Sequence, residues 1–130
     1  MKYLSAEDIL IIHARIVDAT GGAHGVRDVH LVASAAERPR TTFGKKDLYP
    51  DVCTKAAAYL ESIARHHAFL DGNKRTAIAA AARFLFLNGY ELRATNKELE
   101  KFVLAVAVGK KDVPEIASWF KKYTRKMGAR

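Results

Sequence analysis

Between Lys74 and Asn88 the sequence KRTAIAAAARFLFLN is apolar on almost every side of a helical wheel, Arg83 being the interruption, and the run stops at Gly89. Glycine just past the last periodic residue is a common helix stop. A helix without a polar stripe has to be covered by other elements, so this segment is expected to be the central helix of a bundle. Its most apolar part, Ile78 to Leu87, is about half the roughly 20 residues needed to cross a bilayer. A buried helix is therefore expected, with no membrane partner.

The rest of the chain supplies the cover. Ser5-Ala6-Glu7-Asp8 reads as a capping box opening a first helix, with Ile9, Ile12 and Ile16 on one face and Gly21, Gly22 and Gly25 ending it. A second short helix is expected over Arg27 to Glu37, with Val29, Val32 and Ala36 inward. From Arg38 to Gly44 a proline, a threonine pair and a glycine predict an extended piece or small hairpin. Asp51 to Arg65 forms a third helix with Ala56, Tyr59, Leu60 and Ile63 on its apolar side. Thr95-Asn96-Lys97-Glu98 caps a fifth, ending near Gly109, and Asp112-Val113-Pro114-Glu115 starts a sixth that points Ile116, Trp119, Phe120 and Tyr123 inward. The expected fold class is all-α: a compact bundle of about six helices around a buried central helix, residues 1–130 forming a single domain.

Bulk composition agrees. Of 130 residues 49% are hydrophobic, with only eight glycines and three prolines, so the chain is a folded globule rather than a tail. Cys53 is the single cysteine, which rules out an intramolecular disulfide and suits a reducing compartment. Met1 to Ala6 lack the layout of a signal peptide, and a cytoplasmic location is expected. The net charge is +8, much of it in Lys121, Lys122, Arg125, Lys126 and Arg130. These residues are read as a solvated last helical turn. No aromatic-rich binding module accompanies them, so nucleic acid is not the expected partner.

Chemistry concentrates in His66-His67-Ala68-Phe69-Leu70-Asp71-Gly72-Asn73-Lys74-Arg75-Thr76. This stretch links the third helix to the start of the fourth. A helix N-terminus carries unpaired N–H groups and partial positive charge, and so attracts anions. Gly72 permits a tight turn and close approach to a ligand. Lys74 and Arg75 in the first turn oppose the macrodipole by about 0.3–1 kcal/mol each when exposed. They either extend into solvent or meet a polyanion such as a nucleotide phosphate. Asp71 either caps the helix, as Asn73 equally could, or holds a Mg²⁺ that bridges phosphates. His67 is either a helix C-terminal cation or a general base near pH 7. His66 points about 100° away on a helical path, so at most one of the pair faces the loop.

Together, His67-Ala68-Phe69-Leu70-Asp71-Gly72-Asn73-Lys74-Arg75 resembles the Fic/Doc family signature His-x-Phe-x-(Asp/Glu)-Gly-Asn-(Gly/Lys)-Arg. Gly22-Ala23-His24-Gly25-Val26-Arg27-Asp28, Arg38-Pro39 and Leu87-Asn88-Gly89-Tyr90-Glu91-Leu92 extend the resemblance, and in spacing they look like the death-on-curing branch. The resemblance implies the Fic fold, a small helical bundle. It implies His67 as the base that deprotonates a target hydroxyl and Asp71 as the residue placing Mg²⁺. Gly72, Asn73, Lys74 and Arg75 would hold the phosphates of ATP, with Arg75 counted among the catalytic set, and Phe69 would anchor the loop in the core. The segment with Arg38, Arg40, Thr41 and Thr42 resembles the family's flap, which holds a target by strand addition.

Lys74 stands where the adenylylating branch has glycine, and Ile78 where it has a second arginine. Both match the death-on-curing branch, which transfers the γ-phosphate of ATP; the implied target is a threonine of elongation factor Tu, with translation arrested. AMP transfer to a protein hydroxyl is the alternative, and a non-catalytic module binding nucleic acid or a partner is a third. Ala68 stands where proline is frequent. The resemblance also implies a Phd-like antitoxin with an acidic, disordered segment that folds over the active site. No self-inhibitory Ser/Thr-x-x-x-Glu-(Gly/Asn) motif occurs in the chain.

Overall fold

The computed structural model describes residues 1–128. Helix α1 (Ala6–Thr20) is followed by α2 (Val29–Glu37), a 3₁₀ turn (Arg38–Arg40) and a hairpin of β1 (Thr42–Phe43) and β2 (Lys46–Asp47). Then come α3 (Val52–His66), α4 (Asn73–Leu87), β3 (Tyr90–Leu92), α5 (Asn96–Ala107), α6 (Val113–Tyr123) and β4 (Thr124–Lys126). The fold is mostly helical, as expected for the Fic fold, and none of its helices is long and apolar enough to cross a membrane among the described residues.

Local chemistry sets the helix starts. Ser5, Thr95 and Asp112 each accept from the backbone N–H three residues on, while Asp8, Glu98 and Glu115 reach back to the cap N–H. Asp51 and Thr54 make the same box at α3. The second helix begins later than expected, because the Asp28 carboxylate caps it by accepting from His30 N. That start leaves Val29 outside the bundle, 58% exposed.

The central helix is α3, not α4. Its residues from Cys53 to Ala64, Thr54 excepted, are buried, polar Lys55, Glu61 and Ser62 among them. Those side chains look outward-facing in sequence because their partners are distant. Glu61 takes Arg38 at 2.8 Å and Arg65 at 2.6 Å, and Arg65 also donates to the carbonyls of Val106 and Lys111. Paired in this way, charges tolerate a dry setting. The fourth helix packs on α3 more extensively than any other element. Ala56, Ala57, Ala77, Ala80 and Ala81, all fully buried, allow close approach. The outer side of α4 leaves Lys74, Arg75, Arg83 and Phe86 in solvent.

The basic tail is a second departure. Only Lys121 and Lys122 lie in the last turn of α6. The backbone then extends at Thr124 (φ −112, ψ 154), and β4 pairs antiparallel with β3. Arg125 sits opposite Glu91, a favourable cross-strand pair. Arg130 lies outside the described residues. Lys2 and Met127 meet at the C-terminal end of α4: Asn88 exchanges hydrogen bonds with the backbone of Lys2, and Met127 N donates to Gly89 O.

Candidate functional site

The signature loop runs from the end of α3 to the start of α4. His67 terminates α3 in the left-handed conformation (φ 50, ψ 49). For a non-glycine residue this conformation costs about 1–2 kcal/mol, so the surroundings must impose it. They do so next door, where the Ala68 carbonyl accepts from Arg27 N at 2.7 Å and Asp28 N at 3.1 Å. His66 and His67 are both exposed.

Phe69 is buried, as expected of a loop anchor. Its backbone forms an antiparallel bridge with Val26, and Leu70 N donates to Gly25 O. The Asn73 side chain brackets Phe69, accepting from its N–H at 3.1 Å and donating to its carbonyl at 2.9 Å. Asn73 therefore does not cap α4, and neither does Asp71. Gly72 holds the cap position at φ 78 without a side-chain bond. The Asp71 carboxylate instead accepts from Ala23 N at 2.8 Å through Oδ2. The first turn of α4 thus keeps its N–H groups free of a side-chain cap, in the setting that favours an anion. Lys74 and Arg75 are exposed there, and neither lies within 4 Å of a carboxylate oxygen among the described residues.

The glycine-rich segment after α1 is one wall of this loop. A Cβ on Gly22 would stand 3.2 Å from the Asp71 Cβ, at a φ of +106 that already disfavours side chains. Sequence reasoning missed His13, which reaches the loop from the opposite side. It is buried on α1 between Ile9 and Val17, stacks on Phe69 with centroids 3.7 Å apart and planes 7° from parallel, and donates from Nε2 to the Asp71 carbonyl at 2.8 Å. Its place four residues from each buried neighbour was the available signal.

Asp71 is exposed and is the acidic side chain of the loop. No cluster of three metal-binding side chains occurs among the described residues. One accessible carboxylate suits Mg²⁺ delivered with phosphates better than a metal caged by protein. The expected flap divides into a fixed base and an open tip. Arg38 lies under it, bonded to Tyr49 Oη, Ser62 Oγ and Glu61. Burial opposes its charge, but these partners win and hold its pKa above the ordinary arginine value. Arg40 stacks over the Tyr3 ring at 5.0 Å. Thr41, Thr42 and Phe43 are in solvent, Phe43 at 82% exposure. Gly44 and Lys45 form the tip, both at positive φ, as a two-residue type I′ turn requires.

A furrow follows the outer side of α4 away from the loop. A stretch of about 300 Å³ is lined by Ile16, Arg75, Ile78, Ala79, Asn96 and Leu99 among others. Adjoining stretches share Arg75, Ile78 or Ala79 and reach Leu104 on one side and Arg15 and Arg83 on the other.

Residues 3–85 match the family model described as Fic/DOC family. A protein named Toxin Doc from Mycolicibacterium smegmatis is 48% identical over 93 residues, 72% of this chain and 69% of its own. A protein named Protein kinase doc from Escherichia phage P1 is 28% identical over 122 residues, 94% of this chain and 95% of its own. A family match across most of the sequence, seated on a loop built as above, settles kinship: the chain belongs to the Fic/Doc family.

Proposed function

We propose that this chain is a toxin of the death-on-curing type, transferring the γ-phosphate of ATP to a threonine hydroxyl of elongation factor Tu and arresting translation in the cytoplasm. One observation carries the reading: an exposed, left-handed His67 leads through a braced loop into an uncapped helix start bearing two cations without carboxylate partners. The names of the two relatives support the toxin and kinase parts. The core cluster, which runs from Leu4 to Phe120, supports treating residues 1–130 as one domain.

In this reading His67 takes the hydroxyl proton as the threonine oxygen bonds to the γ-phosphorus. The bond to the bridging oxygen breaks, and ADP leaves. Lys74, Arg75 and the amides after Gly72 hold phosphate oxygens, and Asn73 keeps the loop in shape. Asp71 would hold Mg²⁺, whose contribution is to neutralise phosphate charge. Positioning and charge neutralisation supply most of the rate in such transfers. The open edge of the hairpin takes the target as an added strand, with Thr41, Thr42 and Phe43 beside it.

The furrow along α4 fits the antitoxin. Its apolar floor and the cations Arg15, Arg75 and Arg83, which with Lys74 outnumber the acids Asp8 and Glu100 of the same lining, complement an acidic amphipathic helix. A Phd-like segment seated there would shadow the loop, in keeping with the missing self-inhibitory motif. Incubation with elongation factor Tu and ATP labelled at the α or the γ phosphate tests the reaction. Label from γ is expected; label from α would replace phosphorylation with nucleotidyl transfer. Expression alone should halt growth, with co-expressed antitoxin restoring it.

A further inference from the structure

Lys55 lies in the first turn of α3 and is 2% exposed, although its side chain ends in an ammonium. Its ammonium donates to Pro39 O at 3.3 Å, to Tyr49 O and to Asp47 Oδ2 at 3.3 Å, so all three protons are used. These acceptors lie before, within and after the hairpin. One buried cation therefore ties both ends of the 39–49 segment to the central helix. Stability alone does not call for a charge here, since buried ionic groups are often replaced by apolar residues without loss. Packing holds the hairpin only at its root, where Arg40 lies over the Tyr3 ring; every residue from Arg40 to Leu48 is exposed. Its direction depends on its base, and the base is held by Lys55 and Arg38. Ser62, which Arg38 grips, precedes His67 by five residues, about 7–8 Å of helix axis.

We propose that Lys55 is a positioning residue for the protein target: its ammonium fixes the angle at which the hairpin presents a bound strand to the loop after α3. This rests on the reading of the hairpin as the target's seat. Lys55→Met and Asp47→Ala test it, the second removing no buried side chain because Asp47 is exposed. Both variants are expected to raise the KM for elongation factor Tu about tenfold or more, with the KM for ATP unchanged. Amide exchange at Leu48, whose N–H donates to Thr41 O at 2.9 Å, should quicken by about tenfold.

Unchanged Leu48 exchange in both variants would overturn the proposal. So would KM values for ATP and target rising together, the mark of a general loss of structure. If the parent protein labels no target, the functional reading falls instead; Leu48 exchange then decides by itself whether the ammonium fixes the hairpin.

Discussion

His13 offers a perturbation that separates holding the loop together from holding it in the right place. In His13→Phe the ring that stacks on Phe69 is kept, while the Nε2 donor to the Asp71 carbonyl is lost. One ordinary hydrogen bond contributes about 1 kcal/mol, which for a chain of this length lowers Tm by about 3–5 °C. His13→Ala also removes the ring from a buried site, and the stack and the cavity together cost about 3 kcal/mol. Activity should follow a different order. Asp71 is held at its carbonyl by His13 and at its carboxylate by Ala23 N, so losing the first leaves the residue free to pivot about the second. His13→Phe, though nearly as stable as the parent, should therefore lose at least about tenfold in transfer rate and need more Mg²⁺ for half-maximal activity. Thermal unfolding and a γ-label assay over a Mg²⁺ series measure both quantities. Parental transfer at parental Mg²⁺ by His13→Phe would refute the reasoning, and His13 would then be a packing residue only.

Three further outcomes are expected. His67→Gly should stay within about 1 kcal/mol of the parent in unfolding, since glycine adopts positive φ without strain, and should transfer nothing, whereas His66→Ala keeps most activity; an inactive His66 variant beside an active His67 variant would reverse the assignment. Burial pushes the Tyr59 phenol up to about 12, against about 10 when unfolded. Its contribution, on the order of 3 kcal/mol, is thus complete below pH 10 and lost as pH rises from 10 to 12, and Tyr59→Phe should flatten that part of the denaturation profile. Arg83→Glu, on the exposed side of α4, should leave γ-label transfer intact while weakening antitoxin binding about tenfold, as calorimetry at two salt concentrations would show.

What could be read from the sequence divides by distance along the chain. Helix starts were legible because caps are local: Ser5 with Asp8, Thr95 with Glu98 and Asp112 with Glu115 lie three residues apart. The loop was legible too, since Phe69 and Gly72 carry their conformational demands in their own residue types. Centrality was not. The carboxylate of Glu61 belongs in the core only because Arg38, more than twenty positions earlier, arrives beside it, and periodicity pointed only to Ala56, Tyr59, Leu60 and Ile63. The pairing of Tyr90–Leu92 with Thr124–Lys126 depends on contacts across more than thirty residues, which made a strand look like a helical end. In the site, Asp71 and Asn73 were noticed, with capping or ligand binding open to them, but nothing nearby announced Ala23 N as the carboxylate's partner or Phe69 as the amide's. His13 and Lys55 were hidden for the same reason.

The meeting of Lys2 and Met127 at Asn88 and Gly89 has a practical consequence. The fourth helix measures about 22 Å, and the signature loop occupies its other end. A fluorophore or affinity handle fused near Met1 or beyond Met127 would stand a full helix length from His67. Joining Lys2 to Met127 by a short linker, with new ends cut elsewhere on the surface, would leave the helix-to-loop geometry as it is.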